Sequence, residues 1–288
     1  MKEAFEDCTM RGSTLALVEH CERIVDDYLG QGLTLTLRQL YYQLVQANIV
    51  ENTERSYKNV GTVLSKARLC GLIDWNAIED RGRQPRRTQE FDSLKDLVSA
   101  ALLSYRLPRW EGQERYVELW VEKEALSGVL APMAREFHVT LMVNKGYSSQ
   151  SALYEAAQRI VEIGKDTIIF YLGDHDPSGE DMVRDVRERL EKFTRGDVNL
   201  EIDKLALTTA QVKKYKPPPN PAKLTDTRAK DYIAKHGPHS WEVDALNPRQ
   251  LQAIIREAFE NVVDQELMNE VIEREEADKK KLRKAVKM

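Results

Sequence analysis

Thr167-Ile168-Ile169-Phe170-Tyr171-Leu172-Gly173-Asp174-His175-Asp176-Pro177-Ser178-Gly179 is the stretch whose reading decides the fold. Six apolar or β-branched residues that end at a glycine predict a buried strand. Met182, Val183, Val186, Leu190 and Phe193 follow at helical spacing, so a helix should cover one face of that strand's sheet. Asp174 and Asp176 then sit in a strand-to-helix loop, where open parallel sheets bind ligands. Two hard oxygen ligands at this spacing suit Mg²⁺, with Mn²⁺ as an alternative. The same Asp, Pro, Ser and Gly also make an ordinary turn and helix cap, and the stretch alone does not separate the two readings.

The same pattern recurs on the N-terminal side. Tyr116-Val117-Glu118-Leu119-Trp120-Val121 reads as a strand closed by Glu122-Lys123-Glu124, with a helix from about Ala125. A short strand over 139–143 is closed by Asn144-Lys145-Gly146, a helix is predicted over 150–163, and a further strand over 198–207. Alternation of this kind predicts a largely parallel sheet flanked by helices on both faces. Acids at the ends of two strands, Glu122 with Asp174 and Asp176, can then meet over one edge. This α/β domain is expected over 111–288, after a linker at 107–113. Helices near 249–263 and 265–286 should close the chain, and Pro217-Pro218-Pro219-Asn220-Pro221 reads as a stiff connector. The basic run Lys279 to Lys284 either touches DNA or is a solvated helix end.

Residues 1–110 read differently. Ser13 or Thr14 can cap a helix to about Tyr28, and Thr36-Leu37-Arg38-Gln39 has the form of a capping box. In the helix so started, Tyr41 falls on the apolar side, whereas Arg38 and Tyr42 lie together off it, one turn apart. Tyr41 is expected in the core and Tyr42 presented. A helix over 54–68 brings Lys58, Lys66 and Arg68, the segment 72–78 is a candidate β-ribbon or wing, and Arg81, Arg83, Arg86 and Arg87 follow. Helix, helix and arginine-rich wing is the arrangement of a winged helix-turn-helix DNA binder. A helical bundle followed by a solvated charged loop is the competing reading.

Composition narrows the class. With 42% hydrophobic and 31% charged residues the 288-residue chain reads as soluble, and no apolar run approaches membrane-spanning length. No signal peptide is expected, and cytoplasmic location follows, with nucleoid association if the source is prokaryotic. The net charge of -4 hides an uneven distribution: eight Lys or Arg stand against four acids between Glu54 and Arg87, so that segment carries +4 and the remainder -8. The three cysteines, Cys8, Cys21 and Cys70, are scattered and odd in number, and are expected as buried or idle thiols in a reducing compartment.

Taken in order, the motifs resemble those of the DNA-cleaving A subunit of topoisomerase VI, a family that includes the eukaryotic protein making meiotic double-strand breaks. Arg38 and Tyr42 match its arginine and nucleophilic tyrosine, Val121-Glu122-Lys123-Glu124 its first acidic motif, and Asp174-His175-Asp176-Pro177-Ser178-Gly179 its Asp-x-Asp-Pro-x-Gly signature. Asn144-Lys145-Gly146-Tyr147 is similar to its glycine-containing loop, although Ser148-Ser149 stands where the family has Pro-Asp. Trp241-Glu242-Val243-Asp244-Ala245-Leu246 is similar to a late acidic-apolar motif. The resemblance implies a winged helix carrying the tyrosine, followed by a Toprim domain that holds Mg²⁺ through Glu122, Asp174 and Asp176. It also implies a homodimer in which Tyr42 of one protomer meets the acids of the other. Only 35 residues precede the tyrosine motif, so an ATPase partner subunit is not expected to dock through an N-terminal arm, and the chain is closest to the compact Mini-A members.

A tyrosine hydroxyl, with a pKa of about 10, attacks a phosphodiester only when its proton is taken or its oxyanion stabilised. Arg38 is placed for the second task. The expected activity is metal-dependent double-strand cleavage of DNA that leaves a 5′-phosphotyrosyl link, with Lys58, Lys66, Arg68, Lys145 and the four arginines at 81–87 as DNA contacts. Two alternatives stand beside it: a hydrolytic Toprim nuclease in which water attacks, and a DNA-binding protein whose acids are structural. His175 is expected to face solvent, with a proton-shuttle role as the alternative.

Overall fold

A computed structural model describes residues 2–10, 12–79 and 88–286. Three helices open the chain. Helix α1 (Gly12–Gly30) buries Val18, Cys21, Val25 and Tyr28 at the spacing of one face. Helix α2 (Leu37–Gln46) starts at the expected capping box: the Gln39 N–H donates to Thr36 Oγ1 at 3.3 Å, and the Thr36 N–H to Gln39 Oε1 at 2.8 Å. Helix α3 (Glu54–Leu69) is capped by the Thr53 hydroxyl, which accepts from the Ser56 N–H at 3.1 Å. Leu35, Leu40, Leu44, Val60, Leu64 and Ile73 close a core between them.

The expected wing does not form over 72–78. Trp75–Ala77 is a single 3₁₀ turn, started by Asp74, whose carboxylate accepts from the Asn76 N–H at 2.8 Å. Ile78 makes only an isolated parallel bridge to Leu35. A local side-chain bond competes here with a strand ladder and wins. Arg68 folds the segment back on α3: its guanidinium lies 4.5 Å from the Trp75 ring centre and donates to the Trp75 carbonyl at 2.9 Å. Arg81, Arg83, Arg86 and Arg87 lie outside the described residues. The cysteine expectation also needs correction. Cys8 and Cys70 are joined in a disulfide that fastens the start of the chain to the end of α3, and only Cys21 remains a buried thiol. A pairing across 62 residues leaves no spacing signal in the sequence.

Helix α4 (Leu94–Ser104) precedes the α/β region. The expected linker is in fact packed. Trp110 is buried and donates from Nε1 to the Phe137 carbonyl at 2.8 Å, while Lys165 Nζ donates to the carbonyls of Trp110, Glu111 and Gln113. Strands β1 (Tyr116–Val121), β2 (Thr140–Val143), β3 (Thr167–Leu172) and β4 (Leu200–Ala206) alternate with α5 (Ser127–Phe137), α6 (Gln150–Ile163) and α7 (Pro177–Thr194). The sheet runs β2-β1-β3-β4 with every pair parallel, as the alternation required.

Side-chain period two sorts the sheet's faces. Leu119, Val121, Ile168, Phe170 and Leu172 belong to one core, and Trp120, Ile169 and Tyr171 to the other, under α6 and α7. Glu118 is the charged exception, fully buried and fully bonded. Arg159 of α6 grips it with two bonds of 2.7 and 3.0 Å, and Trp120 Nε1 and the Tyr116 hydroxyl donate at 2.7 and 2.8 Å.

Helix α8 (Thr209–Tyr215) follows the sheet, and Pro217-Pro218-Pro219 lead into the short pair β5 (Asn220–Pro221) and β6 (His239–Ser240), with α9 (Ala229–His236) between them. Helices α10 (Pro248–Glu260) and α11 (Gln265–Val286) close the chain. Leu251, Ile255 and Phe259 of α10 complete the first core of the sheet. Along α11 lies α4, tied by Tyr105 to Asp278 and by the Leu107 N–H to Glu275, with Leu94, Leu97 and Leu103 left exposed. Between β6 and α10, Val243 and Leu246 enter the core of the sheet while Ala245 enters that of the N-terminal helices. The segment between β6 and α10 thereby bridges the two packed regions.

Candidate functional site

Register places the acids. Val121 of β1 lies opposite Val143 and Leu172, so Glu122 and Gly173-Asp174 leave the sheet side by side. Glu122 Oε2 accepts the Asp174 N–H at 3.0 Å. The approach needs glycine on both sides of the loop. A Cβ at Gly173 would lie 3.0 Å from Glu122 Oε2, and one at Gly179 only 2.3 Å from the Asp174 carbonyl oxygen. Asp176 takes the capping role that the sequence left open: its Oδ1 accepts from the Gly179 N–H at 2.6 Å and from Ser178 Oγ at 2.8 Å.

The tightest carboxylate cluster is a different set. Among the described residues, Asp174, Glu242 and Asp244 offer oxygens that all lie within 4.8 Å of one another. Lys123 Nζ stands among them, 2.8 Å from Asp174 Oδ2, 2.6 Å from Glu242 Oε2 and 2.9 Å from Asp244 Oδ1. The Val243 N–H donates to Asp174 Oδ1 at 2.9 Å. Arg38 of α2 arrives from the N-terminal region, paired with Glu242, and with Asp244 Oδ2 at 3.2 Å through Nε. That oxygen is buried and accepts no hydrogen bond among the described residues. Hard oxygen donors arranged around a cation's charge fit a divalent metal as well as an ammonium group. The residues present therefore suit such an ion.

Titration follows from this crowding. Burial pushes the Asp174 carboxyl up to about 8, reinforced by Glu122, Asp244 and Glu242 and opposed by Lys123. Burial also raises Glu122. The same burial acts on Glu242, yet Lys123 and Arg38 overcome it and hold that group down to about 2. Lys123 stays above the ordinary lysine range, because three carboxylates outweigh its desolvation.

Tyr42 is not presented as expected. It is 6% exposed, with the Arg38 guanidinium 5.7 Å from its ring centre, and burial with Glu242 beside the phenol drives its pKa up. Its helix carries two cationic and aromatic groups into the acidic cluster, so Arg38 and Tyr42 meet Glu242 and Asp244 within one chain. His175 also departs from expectation. It is 2% exposed, stacked on Trp241 with ring centres 5.7 Å apart, bonded to Glu180 through Nδ1 at 2.9 Å and to Thr209 through Nε2 at 3.2 Å. Mutual backbone bonds between His175 and Trp241, 2.8 and 3.0 Å, pin the strand-end loop to the late motif.

The basic residues scatter. Lys58 and Lys66 are exposed on α3, with Lys58 paired to Glu54 at 2.7 Å. Arg68 is committed to Trp75. Lys145 is exposed at the sheet edge, 3.0 Å from Glu124. Sequence reasoning missed Lys123 as a contributor and gave Glu242 and Asp244 no role. The available signal was the two-residue spacing of carboxylates between apolar residues, the same in Trp241-Glu242-Val243-Asp244-Ala245 as in the Asp174 loop.

Two outcomes follow. Lys123→Met leaves the cluster without its central charge, and the metal-free protein should lose about 3 kcal/mol. Thermal melting should show the loss, with Mg²⁺ or Mn²⁺ restoring more stability to the variant than to the wild type. Equal metal effects on both would contradict the shared-cage reading. Because Glu242 is depressed, its contribution is complete above the ordinary carboxylate range and disappears as pH falls toward about 2. Glu242→Gln should flatten that acid limb of the stability profile, and an unchanged limb would refute the assignment. The chain matches no known family model and no curated protein.

Proposed function

We propose that this chain is a divalent-metal-dependent DNA-cleaving transesterase, similar in mechanism to the topoisomerase VI A subunits that its motifs resemble. The observation that carries the reading is the junction of Arg38 and Tyr42 with Glu242 and Asp244, which Lys123 links to Asp174 at the end of β3. An arginine, a tyrosine and convergent carboxylates are the parts that phosphoryl transfer to a tyrosine requires.

In this reading the Tyr42 oxygen bonds to phosphorus and the P–O3′ bond breaks. The phenolic proton passes to a water molecule, and the departing 3′ oxygen takes one from water. Arg38 turns from Glu242 to the phosphate, where its planar fork holds an oxygen and offsets developing charge. The resemblance would place metal on Glu122, Asp174 and Asp176, and the geometry on Asp174, Glu242 and Asp244; Asp174 is common to both. A bound Mg²⁺ or Mn²⁺ would supply charge stabilisation at the phosphate. Exposed Lys58, Lys66 and Lys145 would bind the DNA backbone, and a two-fold dimer would cut both strands. No helix of the described residues is long and apolar enough to cross a membrane.

The burial of Tyr42 favours one second reading, hydrolysis by water at the same acids. Incubation of supercoiled plasmid with Mg²⁺ or Mn²⁺, followed by denaturant and protease, separates them. We expect linear DNA with protein-blocked 5′ ends, reduced by roughly 10³-fold or more in both Tyr42→Phe and Asp174→Asn. Cleavage retained in Tyr42→Phe would overturn the tyrosine mechanism in favour of hydrolysis.

A further inference from the structure

Beside Tyr42 a cavity of about 250 Å³ opens between α2, α3 and β5. Its walls are aromatic. The Tyr41 ring centre lies 5.3 Å from that of Tyr42 and 5.3 Å from that of Tyr57, at interplanar angles of 60° and 80°. Its polar groups are fixed in direction. The Tyr41 hydroxyl shares its one proton among the Glu51 and Thr53 carbonyls and Asn52 Oδ1, 3.1 to 3.3 Å away, and Asn52 Nδ2 donates to Asn220 Oδ1 at 2.5 Å. That bond orients the second amide. Asn220 Nδ2 and the Tyr57 hydroxyl make no hydrogen bond among the described residues, and both belong to residues lining the cavity. Arg38, at the same wall, is paired with carboxylates outside it.

Flat aromatic walls, amide and hydroxyl tips and the Glu54 carboxylate, itself paired with Lys58 at 2.7 Å, suit a planar heteroaromatic group that carries hydrogen-bond donors. They do not select an anion. A nucleobase has this chemistry: every base offers a π face for stacking and edge groups for an amide or hydroxyl. We propose that the cavity is a subsite for one unpaired nucleobase adjoining the phosphate that Tyr42 attacks. The proposal rests on the DNA-cleavage reading and adds a substrate feature to it, DNA from which one base has left the helical stack. Extrusion is cheapest where a base is already mismatched or bulged, so such sites should be preferred. Tyr57 supplies the stacking face and Asn220 the directional donor.

Binding without metal tests this apart from catalysis. Fluorescence anisotropy would compare the full chain on three duplexes: fully paired, with a one-nucleotide bulge, and with the same bulge lacking its base. We expect the base-containing bulge to bind roughly tenfold tighter than the abasic one. Tyr57→Ala should erase that difference, and Asn220→Asp should reduce it. Equal affinity of the wild type for the two bulges overturns the subsite and leaves the cleavage reading standing. Failure to bind any of the three duplexes overturns both. The wild-type comparison needs no variant to fold.

Discussion

The Lys123 ammonium, held between 2.6 and 2.9 Å from Asp174, Glu242 and Asp244, is the interaction on which this structure turns. Three carboxylates taken out of water repel one another, and the penalty for leaving them uncompensated reaches about 3 to 5 kcal/mol for each broken buried pair. Lys123 meets that demand from the end of β1, and Arg38 from α2. Because Asp174 follows β3 and Glu242 and Asp244 belong to the late motif, one charge cluster joins four segments distant in sequence. Apolar packing alone does not do this. The bridge through Val243, Ala245 and Leu246 fixes the late motif between two cores, and the charges then fix what faces what.

Such an arrangement is poised against itself. A divalent ion at the cage must compete with Lys123, and any phosphate that recruits Arg38 must take it from Glu242. The depressed Glu242 and raised Asp174 carboxyls measure the two sides of that balance, one dominated by cations and the other by burial. Tyr42 shares in it. Its buried phenol is a poor acid beside Glu242, so the proposed attack would require the local charges to rearrange. In the proposed reading a metal ion and a phosphate would be the agents of that change, each bringing the opposite charge to one part of the network.

Much of this was legible in the sequence, and the exceptions have physical causes. Strands and helices of the sheet were set by apolar period and flanking glycines, which is why β1, β3 and α6 agree with expectation to the residue. The capping box at Thr36 is equally local. Long-range chemistry was not legible. The spacing that put Arg38 and Tyr42 on one side of α2 did not show that this side packs against the late motif, so Tyr42 read as presented when it is buried. His175 read as a surface loop residue because its cover, Trp241, arrives 66 residues later. The 72–78 segment read as a wing because β-branched and aromatic residues favour strands, yet Asp74 and Arg68 fold it locally. Lys123 had no role in the sequence reading; only tertiary structure makes it the counter-charge of Asp174, Glu242 and Asp244.

The claim that Arg38, Tyr42 and the strand-end acids form one active site is tested most directly by locating the covalent link. Protein incubated with DNA and Mn²⁺, denatured, digested with nuclease and protease and analysed by mass spectrometry should yield a peptide carrying Tyr42 with a nucleotide attached through its phenolic oxygen. Unmodified Tyr42 in a preparation that has cut its DNA, or a nucleotide on another tyrosine, would contradict it.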